Sequence, residues 1–278
     1  MNYQQLWRTL AQHYEEGEAK AMARMVYEVR YGLSLTDILL GKDTQLSANN
    51  QKEVEEIAHR LLLSEPIQYV LGIAEFCGRT FIVTPDVLIP RLETEELCQQ
   101  IISKGWQQKI LDIGTGSGCI AITLAAEMPH SIVTAWDISE DALSIAEENA
   151  KRNNADVSFQ LVDMLHLPSD ICRYTSAFDL IVSNPPYICY KERADMEKNV
   201  LDYEPPTALF VPDNDPLLFY KAIARFAGKA LTPDGMLAVE INRAYGQETC
   251  EVMKNAGFND IQLYQDSYHN DRFVIAKK

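Results

Sequence analysis

Positive charge is what this 278-residue chain has least of for its size: 25 Lys and Arg stand against 40 Asp and Glu, a formal net charge of −15. Such a mean field repels a phosphate backbone, so long duplex nucleic acid is a poor partner, although basic side chains can cluster in space without clustering in sequence. No apolar run approaches the roughly 18 residues of a membrane span. The start, Met1-Asn2-Tyr3-Gln4-Gln5-Leu6, lacks a basic segment followed by an apolar one, so neither secretion nor membrane insertion is expected. The six cysteines (Cys77, Cys98, Cys119, Cys172, Cys189, Cys250) include no C-x-x-C pair and have no histidine at metal-ligand spacing. Neither a metal site nor a disulfide framework is expected, and reduced thiols in packing roles suit a cytoplasmic protein. Internal repeats and low-complexity tracts are missing as well.

What is present suffices for a sizeable core, since 47% of the residues are hydrophobic. From Tyr3 to about Leu63 apolar residues recur at three- and four-residue steps (Leu6, Leu10; Met22, Met25, Val26, Val29; Val54, Ile57, Leu61), which predicts a small helical domain. Gly17, Gly32 and Gly41 punctuate it, Ser34-Leu35-Thr36-Asp37 has the form of a capping box, and Ser47 can cap a helix running to Leu63. Short β-branched and aromatic runs at 76–83 and 87–89, broken by Gly72, Gly78, Pro85 and Pro90, predict a hairpin-like linker.

Beyond Thr94 short apolar strands (109–113, 132–136, 157–161, 180–183, 236–241, 261–264, 273–276) alternate with helical periods, notably 120–126, 139–149, 217–230 and 245–255. This is an α/β pattern: a largely parallel, Rossmann-like sheet covered on both faces, with its ligand crevice at the carboxyl ends of the strands.

The first of these strands ends in Asp112-Ile113-Gly114-Thr115-Gly116-Ser117-Gly118-Cys119. Its G-x-G-x-G spacing departs from the G-x-G-x-x-G dinucleotide fingerprint and lies closer to S-adenosylmethionine sites, though a glycine turn alone serves equally well as a structural tight turn. The second strand ends in Asp137, about twenty residues on, where a carboxylate can accept both hydroxyls of a ribose. The alternative is that Asp137 caps the helix starting near Ser139. The third strand ends in Asp163-Met164, where Asp163 can accept from an adenine amino group and Met164 can cover the ring; the alternative is a surface Asp and a core Met. The three together are more specific than any one. A nicotinamide dehydrogenase fits the first two features only.

The fourth strand runs into Asn184-Pro185-Pro186-Tyr187. Two prolines fix φ and remove two backbone donors, so the loop presents acceptors in a stiff arrangement. A planar –NH₂ group has two hydrogens, one for the Asn184 side-chain oxygen and one for the Pro185 carbonyl. A nitrogen so held can pyramidalise toward a sulfonium methyl group, with Tyr187 laying its ring on the target and excluding water. Asn184, Pro185 and Tyr187 are the candidate catalytic residues, and they require no metal.

These residues resemble the Asn-Pro-Pro-Tyr class of S-adenosylmethionine methyltransferases. More narrowly, the chain resembles the protein-(glutamine-N5) methyltransferases that modify the Gly-Gly-Gln motif of class 1 peptide-chain release factors. The resemblance extends to Glu65-Pro66-Ile67-Gln68-Tyr69-Val70-Leu71-Gly72, Leu88-Ile89-Pro90-Arg91-Leu92-Glu93-Thr94-Glu95, Glu204-Pro205-Pro206-Thr207-Ala208-Leu209-Phe210 and Val239-Glu240-Ile241-Asn242. It implies cofactor binding by Gly114, Thr115, Gly116, Ser117, Gly118, Asp137, Met164 and Asn184, to which the strand-end reading adds Asp163. It implies substrate binding by Asn184, Pro185, Pro186 and Tyr187.

The resemblance also implies a seven-stranded methyltransferase sheet with one antiparallel strand, and a helical N-terminal domain that grips the release factor. The expected division is a docking domain at 1–74, a linker at 75–92 and a methyltransferase domain at 93–278. Leu92 stands where the family usually has Pro, and 211–216 replaces a usually glycine-rich loop. Arg91 and Glu93 fit either the active-site entrance or a linker salt bridge. The rival readings are a methyltransferase for a flipped DNA or rRNA base, which the net charge disfavours, and a scaffold that has lost catalysis, for which no motif speaks.

Overall fold

The computed structural model describes residues 1–105, 108–167 and 174–278, so Cys172 lies outside the described residues. The chain divides into two compact units, one of Met1–Ile73 with Glu197–Tyr203 and one of Ala74–Met196 with Glu204–Lys278.

The smaller unit holds α1 (Tyr3–Leu10), α2 (Glu16–Tyr31), α3 (Leu35–Leu39), α4 (Ala48–Leu62) and α5 (Ile67–Leu71). Helix α9 (Lys198–Tyr203) belongs to it as well. Ser34 forms the expected capping box with Asp37, and Ser47 accepts from the Asn50 amide at the start of α4. Gly32 and Gly41 end helical segments in the left-handed region (φ 66° and 78°). Gly17 interrupts nothing, because it lies in the first turn of α2. The buried stripe of α2 is Ala19, Ala23, Val26 and Tyr27, whereas Met25 and Val29 are exposed. These four line up at i, i+4, i+7 and i+8 opposite Leu6, Leu10, Val54, Ile57 and Leu61 in one core.

Strands β1 (Ile73–Phe76) and β2 (Arg79–Ile82), in the larger unit from Ala74 onward, pair across Cys77 and Gly78, both at positive φ, as a two-residue hairpin turn demands. The run at 87–89 forms no strand; two prolines bracket it within six residues, and Val87 and Leu88 line a cavity instead. Residues 75–92 lie wholly in this unit.

Then follow α6 (Leu92–Ser103), β3 (Lys109–Ile113), α7 (Cys119–Glu127), β4 (Ile132–Asp137), α8 (Glu140–Arg152), β5 (Val157–Leu161) and β6 (Phe178–Ser183). After the short pair β7 (Ile188–Cys189) and β8 (Phe210–Val211), with α10 (Pro206–Leu209) between them, come α11 (Leu218–Ala230), β9 (Leu231–Glu240), α12 (Gly246–Asn255), β10 (Asp260–Gln265) and β11 (Asp271–Lys277).

The seven long strands form one sheet in the order β10-β11-β9-β6-β3-β4-β5. Strands β9, β6, β3, β4 and β5 pair in parallel, and β11 runs antiparallel to both β9 and β10. Strand alternation feeds two cores: Ile110, Leu180, Val182 and Ala238 join one, while Leu111, Ile181, Leu237 and Val239 join the other. Six of the seven expected strands fall within two residues of the observed bounds at both ends. Strand β9 starts earlier than expected because Leu231 pairs with Phe178, after which Thr232–Gly235 is looped out and Met236 resumes the register opposite Leu180. Among the described residues all five cysteines are free, and no helix is long and apolar enough to cross a membrane.

Candidate active site

Strands β4, β3 and β6 are adjacent, so their carboxyl ends bring three of the sequence-predicted motifs side by side. The glycine loop is clipped to the end of β4. Gly114 and Thr115 amides donate to the Trp136 carbonyl at 2.8 and 2.9 Å, and the Gly116 amide donates to Asp137 Oδ2 at 2.8 Å. Gly114 and Gly116 take φ of 73° and 53°, and a Cβ on either would meet nothing within 4 Å, so bare backbone faces open space there. Gly118 differs: its Cβ would stand 2.9 Å from Ile122 Cδ1 and 3.1 Å from Ala146 Cβ, so this glycine allows α7 and α8 to pack.

Asp137 does not cap α8. Ser139 does so, its hydroxyl accepting from the Ala142 amide at 3.2 Å, while Asp137 Oδ1 accepts from the Ser139 amide at 3.0 Å. Asp137 thus joins the glycine loop to the start of α8, and each of its oxygens keeps a lone pair. Beneath the loop, Asp112 is fully buried and accepts from the Thr115 hydroxyl at 2.7 Å. Burial pushes its carboxyl up to about 7. Asn149 of α8 ties the loop to the hairpin by donating to the carbonyls of Ser117 and Ile82, each at 2.9 Å, and accepting from the Ile82 amide. Asp163 accepts from the Leu165 amide and meets His166 Nδ1, each at 2.8 Å. Burial would raise its carboxyl, but these contacts outweigh it and hold it below the usual range. Met164 is buried.

The tetrapeptide after β6 is held from within. Asn184 Nδ2 donates to Thr94 Oγ1 at 3.1 Å, and the Thr94 hydroxyl donates to Glu240 Oε2 at 2.7 Å. Tyr187 Oη donates to Glu240 Oε1 at 3.2 Å, and Asn242 Nδ2 donates to the Tyr187 carbonyl at 3.1 Å. Tyr187, expected to stack on the target group, is not among the residues that line the cavity. Its ring packs against the core around α11 and its hydroxyl is drawn inward by the buried Glu240. The aromatics that do line the cavity include Tyr190 and Phe210, which stack with centroids 5.0 Å apart and planes 11° from parallel.

One cavity of about 420 Å³ receives Gly114, Thr115, Gly116, Ser117, Asp137, Asp163, Met164, Asn184, Pro185 and Pro186. Gly118 is not in its lining, consistent with its packing role. Arg91 and Thr94 line it too. Arg91 pairs with Glu204, whose other oxygen accepts from the Ile89 amide at 3.4 Å, so both alternatives for Arg91 hold together: it is a salt-bridge partner and a wall of the entrance. The sequence reading gave Thr94, Asn149, Glu204, Glu240 and Asn242 no individual roles. All but Asn149 sit in motifs quoted for the resemblance, which was the available signal.

Models of two protein families match the chain: the PrmC N-terminal domain over residues 3–72 and the methyltransferase small domain over residues 87–203. A release factor glutamine methyltransferase of Bacteroides thetaiotaomicron is 46% identical, the match covering 98% of this chain and 97% of that protein. One of Flavobacterium psychrophilum is 40% identical over the same shares. Among solved structures, a methyltransferase from Pyrococcus furiosus superimposes with a TM-score of 0.52 at 18% identity, covering 84% of this chain and 99% of that one. A 16S rRNA N2 methyltransferase of T. thermophilus, in complex with AdoMet and guanosine, gives a TM-score of 0.54 at 16% identity, covering 74% and 49%. At these identities the two structures bear on the fold alone.

Proposed function

This chain belongs to the release factor glutamine methyltransferase family, and on that premise we propose that it transfers a methyl group from S-adenosylmethionine to the side-chain amide nitrogen (N5) of the glutamine in the Gly-Gly-Gln motif of class 1 peptide-chain release factors. The observation that carries the reading is the state of Asn184. Its amide nitrogen gives one of its two hydrogens to Thr94, which leaves Oδ1 as the acceptor it can offer a ligand, in the wall of the cavity that also receives the glycine loop.

The residues present fit the cofactor. Gly114 and Gly116 leave bare backbone, Asp137 is a nearly buried carboxylate with free lone pairs suited to a ribose diol, and Asp163 and Met164 suit an adenine amino group and ring. Thr115, Ser117 and Asn184 complete the assigned cofactor set; Gly118 serves it through helix packing. When bound, S-adenosylmethionine supplies an electrophilic methyl group on a positively charged sulfonium.

The protein's own work is orientation and electrostatics. An amide nitrogen is a poor nucleophile because its lone pair is delocalised into the carbonyl. Asn184 Oδ1 and the Pro185 carbonyl, each accepting one hydrogen of the –NH₂ group, stabilise the more sp³-like, partly positive nitrogen of the transition state more than the planar ground state. Pro185 and Pro186 each fix φ, which holds the Pro185 carbonyl in a stiff loop. Tyr187 steadies the loop through its hydroxyl. The helical region 1–74 is assigned to docking the release factor; residues 3–72 match the PrmC N-terminal domain.

The test is mass spectrometry of a purified class 1 release factor incubated with this protein and S-adenosylmethionine, with total RNA and DNA assayed in parallel. One added methyl group on the Gly-Gly-Gln glutamine is the expected result. Label in nucleic acid with an unmodified release factor would move the substrate to a base.

A further inference from the structure

We propose that Glu240 is the positioning residue of the methyl-transfer site: through Thr94 it fixes which end of the Asn184 amide faces the substrate, and through Tyr187 it anchors the far end of the tetrapeptide. The inference rests on the reading that Asn184 accepts a hydrogen from the substrate amide.

An asparagine amide can sit in two orientations of nearly equal shape, one offering an acceptor and the other a donor. Only the acceptor serves a substrate that brings hydrogens. Thr94 makes the choice. A hydroxyl has one hydrogen, and that of Thr94 is committed to Glu240 Oε2 at 2.7 Å, so toward Asn184 the Thr94 oxygen can only accept. Nδ2 satisfies it at 3.1 Å. The rotated amide would set Oδ1 against the Thr94 oxygen, two acceptors face to face, and would point its own hydrogens at those of the substrate. The direction of the chain is therefore set at its buried end, by a carboxylate oxygen that accepts.

The same carboxylate accepts from Tyr187 through Oε1 at 3.2 Å, so residues 184 and 187 are referred to one group. Glu240 is 1% exposed. The charged and titratable groups facing it are Glu93 of α6, Tyr187 of the loop after β6, and Arg272 of β11, itself held by Asp266 at 3.1 Å; the Thr94 hydroxyl is its hydrogen-bond donor. Tyr220 of α11 donates to its backbone carbonyl at 3.3 Å. Burial raises the Glu240 carboxyl to about 7, against the lowering influence of Thr94, Arg272 and Tyr187. A proton on Oε2 would reverse the Thr94 bond, turn its hydrogen toward Asn184 and favour the unproductive amide orientation. Turnover is therefore expected to fall as pH drops below that value.

Thr94→Val, Thr94→Ser and Glu240→Gln separate this role from mere packing. Thr94→Val and Glu240→Gln are expected to lose about 10- to 100-fold in kcat on the release factor, with the Kd for S-adenosylmethionine unchanged. Thr94→Ser, which keeps the hydroxyl, retains most of the turnover. The acid limb of the wild-type kcat profile near pH 7 disappears in Glu240→Gln. A readout independent of substrate is the pair of Asn184 side-chain N–H resonances, expected to titrate in the wild type and not in Glu240→Gln. Thr94→Val with wild-type kcat, or Asn184 signals indifferent to loss of Glu240, overturns the proposal. A wild-type protein that leaves the release factor unmethylated overturns the substrate reading, and the Asn184 resonances still decide the role of Glu240.

Discussion

Arg91 and Glu204, 113 residues apart in the chain, form an ion pair in which the carboxylate side chain is 1% exposed and the guanidinium 32%. Removing the cation leaves a buried carboxylate whose remaining partner among the described residues is the Ile89 amide. Arg91→Ala is expected to destabilise the protein by about 2–3 kcal/mol, below the about 3–5 kcal/mol of a fully buried pair because the guanidinium is part-solvated. Urea unfolding of the variant beside the wild type checks this; coincident curves would mean that the pair is only a surface contact.

Asp137 holds the Gly116 amide and, in the proposed function, also accepts from a ribose diol. Asp137→Ala is expected to weaken S-adenosylmethionine binding by one to two powers of ten, in line with about 1.5–3 kcal/mol for charge-assisted bonds. Calorimetric titration measures it, and an unchanged affinity removes Asp137 from the cofactor site.

Asn184→Ala deletes the acceptor while leaving the glycine loop and Asp137 in place. Turnover should vanish with much of the cofactor affinity retained, read by a radiolabel transfer assay and calorimetry on the same preparation. Near-normal turnover would refute the amide-acceptor mechanism.

Two glycines of one loop should answer differently to a methyl group. Gly118→Ala places Cβ 2.9 Å from Ile122 Cδ1 at a φ of 81°, combining overpacking with left-handed strain. A loss of about 2–4 kcal/mol is expected, the sum of roughly 1–3 for overpacking and 1–2 for strain allowing some relaxation. Gly116→Ala meets no atom within 4 Å, so it carries strain alone and its larger effect is expected on ligand affinity. Thermal melts and binding isotherms of the two variants distinguish these outcomes; equal loss of stability would contradict the packing assignment.

Asp112 titrates upward because burial disfavours its charge, from 3.8 to about 7. The folded protein then keeps a proton that the unfolded chain has already released. This contribution is fully present below the unfolded value and is lost as pH rises through about 7. Asp112→Asn has no proton to lose, so the wild-type melting temperature should fall relative to the variant between pH 4 and 7. Parallel curves would show that the carboxyl is ionised in the folded state throughout.

The cofactor-side motifs were legible because each lies at the end of a short apolar strand, where local pattern and position coincide. Gly114 to Ser117, Asp137, Asp163 and Met164 all reach one cavity for that reason. The supports of Asn184 were not legible: Thr94 lies 90 residues away, and Glu240 lies 53 from Tyr187, distances over which hydrogen-bond partners leave no periodic trace. Tyr187 shows the same limit, since its side chain is directed by an acceptor on β9 and not by its own tetrapeptide. In α2 the sequence favoured the large Met25 and Val29, yet the core took the small Ala19 and Ala23 together with Val26 and Tyr27, and α1 packs against this helix. The start of β9 was hidden because Thr232-Pro233-Asp234-Gly235 reads as a turn, and it is in fact a looped-out stretch between two paired portions of one strand.

The smaller unit is discontinuous, since Glu197–Tyr203 belongs with Met1–Ile73 and the Tyr203 hydroxyl donates to the Leu63 carbonyl at 3.0 Å. On a ribosome the first 73 residues therefore emerge long before their last helix exists, and most of the sheet strands must be synthesised in between. Completion of the N-terminal helices is thus a late event in the birth of the chain, and a fragment cut after Ile73 would lack a piece of its own unit.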